Sequence, residues 1–455
     1  MLFVKNALLP KGWAENVRIE IDASGHISSV EPNTSAEPED DLLIDRALLP
    51  APHNLHSHSF QRAMAGMTET RFKKRDSFWS WRDLMYRFLD RLTPDDIEAI
   101  AALVFMEMQE AGYAAVGEFH YLHNQPGGAE YVDIGELSER ICASASQTGI
   151  GLTLLPVLYN TGGSDGRPLK GGQLRFRNSI DRFEILTNRC RDYISNLPDD
   201  AVLGIAPHSL RAVPASQINA CVEIMPDGPI HCHVAEQIPE IEEIRKDYGS
   251  RPMRWILDNA PIDDRWCLIH CTHMDEIETR DLAQSGAVTG LCPITESNLG
   301  DGIFNGPEFM EHGGLIGIGS DSNIRISLSE ELRTLEYSQR LRHNARNLML
   351  PGEGSVGQFL FESVCKGSSR ALGRKAGEIA EGNLADMLTL DLNNLSIAGL
   401  QKNQWLDGLI FAGDDGAITD VWSAGRKMVE NGTHVHRNEI ETRYRATMKK
   451  LLEIV

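Results

Sequence analysis

Two pairs of histidines stand two residues apart in this chain: His56 and His58 in LHSH, and His231 and His233 in HCHVAE, where Glu236 follows. In an extended strand, residues i and i+2 point to one face, so each pair presents two imidazoles together. One such pair is a weak signal, because solvated or core histidines produce it as readily. Two pairs, joined by His270 at the end of WCLIH and by Asp321 in IGSDSN, carry more weight. Neutral imidazoles and a carboxylate are the donors a borderline divalent cation accepts, and a site that keeps one position open can activate water. The chemistry expected is metal-assisted hydrolysis, and spacing alone leaves open which of His231 and His233 is the ligand.

These residues need strands to bring them to one place. Eight apolar runs, each followed by a longer helical stretch, extend from about residue 49 to 380: ALLPAPHNLHSH, YAAVGEFHYLHN, GLTLLPVLYN, AVLGIAPHSLRA, GPIHCHVAEQ, WCLIHCTHM, AVTGLCPITESN and LIGIGSDSN. Continuous apolar runs of this length read as strands buried on both faces of a parallel sheet. Eight such units predict an α/β fold, a distorted (β/α)8 barrel. Nearly every run begins apolar and ends in a polar residue, which places the chemistry at the carboxyl ends of the strands, where such barrels carry their sites. Strand-like patterns also occupy residues 1–48, with Gly25 as a hairpin turn, and return after 381 ahead of a helical tail. Neither end has the apolar surface to stand alone, so residues 1–48 and 381–455 are expected to form one small β-sandwich domain with a C-terminal helix. A long insertion after the first strand, SFQRAMAGMTETRFKKRDSFWSWRDLMYRFLDRL, is placed to cover the site.

The chain has 455 residues, 42% of them hydrophobic and 24% charged, and no low-complexity tract, so a large folded core is available. With 44 Lys and Arg against 65 Asp and Glu, the net charge is −21, which argues against nucleic acid and anionic membrane as partners. A few arginines inside a cleft still admit an anionic small molecule. The eight cysteines form no CxxC pair and sit in apolar runs, and no signal-peptide pattern or ~18-residue apolar stretch is present. A reducing, cytoplasmic setting is expected.

Taken in order, HSH after strand one, HVAE at strand five, His270, SDS at strand eight and the closing GNLADMLTLD with VWSAGRKMVENG resemble the amidohydrolase superfamily over essentially the whole chain. The resemblance implies that His56, His58, His233 and Asp321 bind one divalent metal ion. It selects His233, three residues before the acid, and makes Glu236, His270 and Asp321 the catalytic groups. Binuclear members carry a bridging lysine at strand four, where this chain reads GIAPHSLRA, so one ion is implied, Zn²⁺ by ligand type with Fe²⁺ also admitted. Asp321 would accept a proton as water attacks an amidine-like carbon, His270 would hold and polarise the nucleophile, and Glu236 would protonate the departing nitrogen.

A narrower resemblance, to the branch of the superfamily that deaminates N-formimino-L-glutamate in histidine degradation, rests on NLHSHSFQRAMAGMTE, SFWSWRDLMY, GEFHYLHN, APHSLRAV, CTHMD and CPITESNLGDG. It implies that Gln61, Arg82, Tyr121, His208 and Arg211 line the substrate pocket, and that the enzyme is a homodimer. Two arginines suit a substrate with two carboxylates. Simpler roles stand beside these: a surface salt bridge for Arg82, lid packing for Trp79 and Trp81, and a solvated face for Lys73 to Arg75. His120, His123, His231 and His273 read as core histidines or hydrogen-bond partners of the site, and Glu296 and Asn298 as loop or substrate contacts. Two other readings remain: a deaminase of the same scaffold acting on a purine, a pterin or an S-adenosylhomocysteine-type substrate, and a non-catalytic scaffold that has lost its chemistry.

Overall fold

The structure, a computed structural model, describes residues 1–37, 39–69 and 78–453, without the side chains of 78–80, 82 and 83. The Lys73 to Arg75 run therefore lies outside the described residues, as do the side chains of Trp79 and Arg82. Four strands open the chain: β1 (Leu2–Leu9), β2 (Gly12–Ile21), β3 (Ile27–Glu31) and β4 (Leu42–Pro50). The barrel follows as β5 (His53–Ser57), β6 (Ala115–His120), β7 (Gly151–Leu158), β8 (Val202–Leu203), β9 (Ala206–Pro207), β10 (Ile230–Val234), β11 (Trp266–His270), β12 (Val288–Leu291) and β13 (Leu315–Ile318). Four more strands close it: β14 (Met387–Leu390), β15 (Ile418–Ser423), β16 (Arg426–Glu430) and β17 (Thr433–His434).

All eight expected runs are strands, the fourth broken into β8 and β9, and all pairing among β5 to β13 is parallel. Among the described residues the two arcs, β5 to β9 and β10 to β13, share no continuous ladder and are bridged at Ser57–Asp321 and Ile205–Ile230, which is the distortion in the barrel. Leu55 fills the interior, where a Cβ on Gly290 or Gly317 would come within 2.7 Å and 2.3 Å of its methyl groups. The helix Val356–Ala371 packs against β5, β12 and β13 and brings Ala371 and Leu372 into the same interior cluster as Leu55, Cys267 and Val288. Its last carbonyls, unsatisfied within the helix, accept hydrogen bonds from His231 Nε2 (to Ala371, 2.7 Å) and Thr153 Oγ1 (to Leu372, 2.8 Å).

The two chain ends join as expected, but hydrogen-bond as one eight-stranded sheet in the order β17-β16-β15-β14-β4-β1-β2-β3. Gly25 turns the β2–β3 hairpin with φ +82°, and a side chain there would strike the Ala424 carbonyl. Strand β4 belongs to this sheet through Pro50, because it pairs with both β1 and β14 and so carries the sheet past residue 48. The terminal helix Arg437–Leu452 packs on the barrel helix Pro94–Glu110, with Ile440 against Ala102, Leu103 and Met106 and Lys450 paired to Asp96 at 2.7 Å.

A buried ion network fastens sheet to barrel. Asp386 accepts from His53 Nε2 at 2.9 Å and from Arg374 at 3.0 Å, while Arg374 and Arg426 share Asp200. The Asp386 carboxyl is held well below its usual range, since burial opposes the charge but Arg374 and His53 overcome it. All eight cysteines are buried and free, and no described helix is long and apolar enough to cross a membrane. Removing one member of a buried ion pair leaves an uncompensated charge, so Asp386→Ala should lose about 3–5 kcal/mol of stability. Urea unfolding would measure this, and a loss under about 1 kcal/mol would contradict the bridging role.

Candidate active site

His56 and His58 leave β5, His233 leaves β10 and Asp321 follows β13, and the structure brings all four together, buried, with their ligand atoms within 4.8 Å of one another. The Nε2 atoms of His56 and His58 lie 3.5 Å and 3.2 Å from Asp321 Oδ1, and Nε2 of His56 and of His233 face each other at 3.0 Å. Nδ1 of His58 donates to the Phe119 carbonyl at 3.0 Å, and Nδ1 of His233 to that of His208 at 3.1 Å. Fixing the proton on Nδ1 leaves each Nε2 as a lone pair aimed inward, the tautomer a metal ligand needs. Burial lowers all three imidazoles, His56 to about 3, and so keeps them neutral. Converging acceptors of this kind are satisfied by a cation, and three nitrogens with one carboxylate fit a divalent ion with room for water.

His231 also faces the barrel interior, but one layer lower, where it holds the end of helix Val356–Ala371. It contributes nothing to the cluster. His120 and His123 form an edge-to-face pair at 5.5 Å, and His273 Nε2 binds the Asp301 carbonyl at 2.8 Å.

The strands turn sharply once they have delivered these groups. Ala235, His270 and Asp321 have φ of 55°, 69° and 47°, a left-handed backbone that costs a residue with a Cβ roughly 1–2 kcal/mol. The Asp321 loop is tied down by Asn54 and Ser320 (2.8 Å), Ser320 and Asn323 (2.6 Å), and Thr295 and Ser322 (2.9 Å). On the other side, the buried Glu118 accepts from the N–H and hydroxyl of Ser59 at 2.8 Å and 2.7 Å, holding the turn after His58. Burial pushes this carboxyl up to about 7 against the donors of Ser59 and Ser57.

Glu236 and His270 stand beside the cluster. His270 Nε2 is 3.9 Å from both Glu236 Oε1 and Asp321 Oδ2, and its Nδ1 is 3.2 Å from Glu296 Oε1. Burial alone would lower His270, but the Glu236, Glu296 and Asp321 carboxylates outweigh it and push the imidazole up to about 10. Glu296 also accepts from the Cys292 N–H at 2.9 Å, so it orients His270, whereas Asn298 reaches Glu69 at 2.9 Å on the surface. Arg211 Nη2 donates to Glu236 Oε2 at 2.8 Å, so the arginine expected to read a carboxylate already holds the candidate proton carrier.

These groups line a cavity of about 340 Å³ with His58, His233, Glu236, His270 and Asp321 in its wall. Of the residues expected to bind substrate, Gln61, Tyr121, His208 and Arg211 all face it, and Gln61 Nε2 is 2.7 Å from Tyr121 Oη. The backbone of Arg82 lies on the helix Phe78–Leu89, and its side chain is outside the described residues. The insertion does cover the cavity, through Trp81, Met85 and Tyr86, and Trp81 also packs against the hydrophobic core. Sequence reasoning missed the segment after β7, which supplies Tyr159, Gly162, Gly163, Arg167, Lys170 and Gln173. Its signal was a Gly- and Pro-rich stretch carrying two cations.

Two measurements test this geometry. His233→Ala should lose its bound metal by elemental analysis, while His231→Ala keeps it at the cost of stability. Equal metal content in the two variants would remove the distinction drawn here. Because Glu118 has a folded pKa above its unfolded value, stability from this group is present at low pH and is lost as pH rises toward about 7. The Tm of Glu118→Gln relative to the parent should therefore climb between about pH 4.5 and 7, and a constant difference would refute the shift.

The sequence matches the family described as "Amidohydrolase family" over residues 47–428, and "Formimidoylglutamate deiminase HutF, N-terminal domain" over residues 1–43. Formimidoylglutamate deiminase from Pseudomonas aeruginosa is 44% identical over 99% of this chain and 99% of its own length. A 5'-deoxyadenosine deaminase from Methanopyrus kandleri is 21% identical over 96% of this chain and 94% of its own. An amidohydrolase from Brucella melitensis superposes with a TM-score of 0.94 at 45% identity, covering 99% of both chains. An adenosine deaminase from Xanthomonas campestris with bound zinc shares the fold, with a TM-score of 0.82 at 18% identity over 99% of this chain and 98% of that one. By sequence and by fold, the chain belongs to the amidohydrolase family, within its formimidoylglutamate deiminase branch.

Proposed function

We propose that this protein hydrolyses N-formimino-L-glutamate to N-formyl-L-glutamate and ammonia, with one zinc ion held by His56, His58, His233 and Asp321. The observation that supports it most is a cavity whose inner wall joins His58, His233 and Asp321 of this donor set to Glu236 and His270, with Arg211 alongside. When bound, the ion acts as a Lewis acid and lowers the pKa of a water toward ~7.

Asp321 would accept a proton from the attacking water as the water's oxygen bonds to the formimino carbon. His270, oriented by Glu296, is within reach of both Asp321 and Glu236 and stabilises the charge that develops on the oxygen. Glu236 would relay the first of the water's protons to the imine nitrogen, and the second, taken up as the hydroxyl becomes a carbonyl, would follow it; with both protons the nitrogen leaves as ammonia when the C–N bond breaks. The carbon keeps the water's oxygen as its carbonyl, so atoms and charge balance. Arg211 lines the cavity while its Nη2 keeps Glu236, which puts its guanidinium beside an incoming carboxylate. Arg82 is the second cation of this reading. Gln61, Tyr121 and His208 complete the wall around the substrate backbone.

Ammonia release with N-formimino-L-glutamate, adenosine and S-adenosylhomocysteine as competing substrates tests the assignment. The first should be turned over with a kcat/KM at least about a thousandfold above the others, as expected where a site's charged groups are left unpaired by the wrong substrate. Turnover of a nucleoside in preference would overturn it. Glu236→Gln should keep its metal and lose about 10²–10⁴-fold in kcat.

A further inference from the structure

The turn that delivers Glu236 has a support of its own. After β10 the backbone becomes left-handed at Ala235, with φ 55°, and this bend leaves Glu236 in the cavity wall. The Ala235 carbonyl accepts the His273 N–H at 3.0 Å, which ties the bend to the segment after β11. The N–H groups of Ala235 and Glu236 both donate to one side chain, Glu240, at 3.1 Å to Oε1 and 2.9 Å to Oε2.

Successive N–H groups at a turn form a concavity that takes an anion. Here the anion belongs to the chain itself, at the third position of the helix Ile238–Tyr248, and is only 2% exposed. A glutamate at that position ordinarily accepts the N–H of the residue that caps the helix. The cap here is Gln237, and Glu240 reaches past it to the two residues before. Its two bonds therefore fix the turn that carries Glu236, ahead of the helix.

Arg211 offsets the charge gathered at this turn. Burial opposes its guanidinium, but Glu240 and Glu236 outweigh burial and hold it above its usual range. Burial likewise pushes the Glu240 carboxyl up, against the Arg211 charge. Glu236 is thus held twice, through its side chain by Arg211 Nη2 at 2.8 Å and through its backbone by Glu240. Misplacing a reacting group by about 1 Å can lower a rate by about a hundredfold, so both fastenings bear on the reaction.

We propose that Glu240 is a positioning residue for proton transfer: by holding the Ala235 and Glu236 N–H groups it sets where the Glu236 carboxyl stands against the departing nitrogen. It is not among the described residues that line the cavity, and acts through Glu236. This rests on the role given to Glu236 above.

A double-mutant cycle tests it. Glu240→Gln keeps nearly the same volume but replaces one acceptor with a donor that opposes a backbone N–H. With N-formimino-L-glutamate, its kcat and kcat/KM should fall together by about 10–100-fold while the metal content is unchanged. In a Glu236→Gln background, where no carboxyl is left to position, the same substitution should alter kcat by less than about twofold. Equal factors in the two backgrounds would reveal a general effect on the fold and overturn the proposal, as would an unaltered kcat in Glu240→Gln alone. Glu240→Asp, which keeps the charge but shortens the reach, gives the same comparison where the Gln variant does not fold. Absence of ammonia release by the parent protein, or undiminished turnover by Glu236→Gln, would instead bring down the reading on which the proposal rests.

Discussion

The mouth of this barrel depends on four buried acceptor atoms, from three imidazoles and a carboxylate, being held within 4.8 Å of one another. Acceptors pressed together in a low-dielectric interior repel, and the surrounding structure must hold them against that repulsion. It does so from behind. The Phe119 and His208 carbonyls fix two rings, Glu118 fixes the turn after His58, and the Asn54–Ser320–Asn323 network fixes Asp321. The left-handed residues at Ala235, His270 and Asp321 show the same cost paid in the backbone.

Much of this was legible in the sequence because two periodicities coincide. A strand buried on both faces reads as an unbroken apolar run, and polar residues that end several such runs must gather at one rim. That logic located the eight strands and brought His56, His58, Glu236, His270 and Asp321 into one place. It did not separate His231 from His233, since both point inward and differ only in depth. What distinguishes them is the end of a helix 140 residues further along, whose carbonyl occupies His231. Strand β4 was hard to assign for a related reason, because it takes its partners from β1 and β14, at opposite ends of the chain.

The segment after β7 was illegible for another reason. It has no periodicity, and its cations look like ordinary surface charge until the fold sets them against the cavity. Glu296 is similar: a carboxylate on a short helix becomes meaningful only when His270, 26 residues earlier, is found beside it. Packing, and not residue type, carries that information.

The pairing of Arg211 with Glu236 ties two tasks to one side chain. A guanidinium that steadies the proton carrier and also faces the incoming anion cannot be exchanged to alter recognition without disturbing the reaction. Diversification of substrate choice on this scaffold is thereby steered away from the centre and toward loops at the rim, where a residue can change without a penalty to the chemistry.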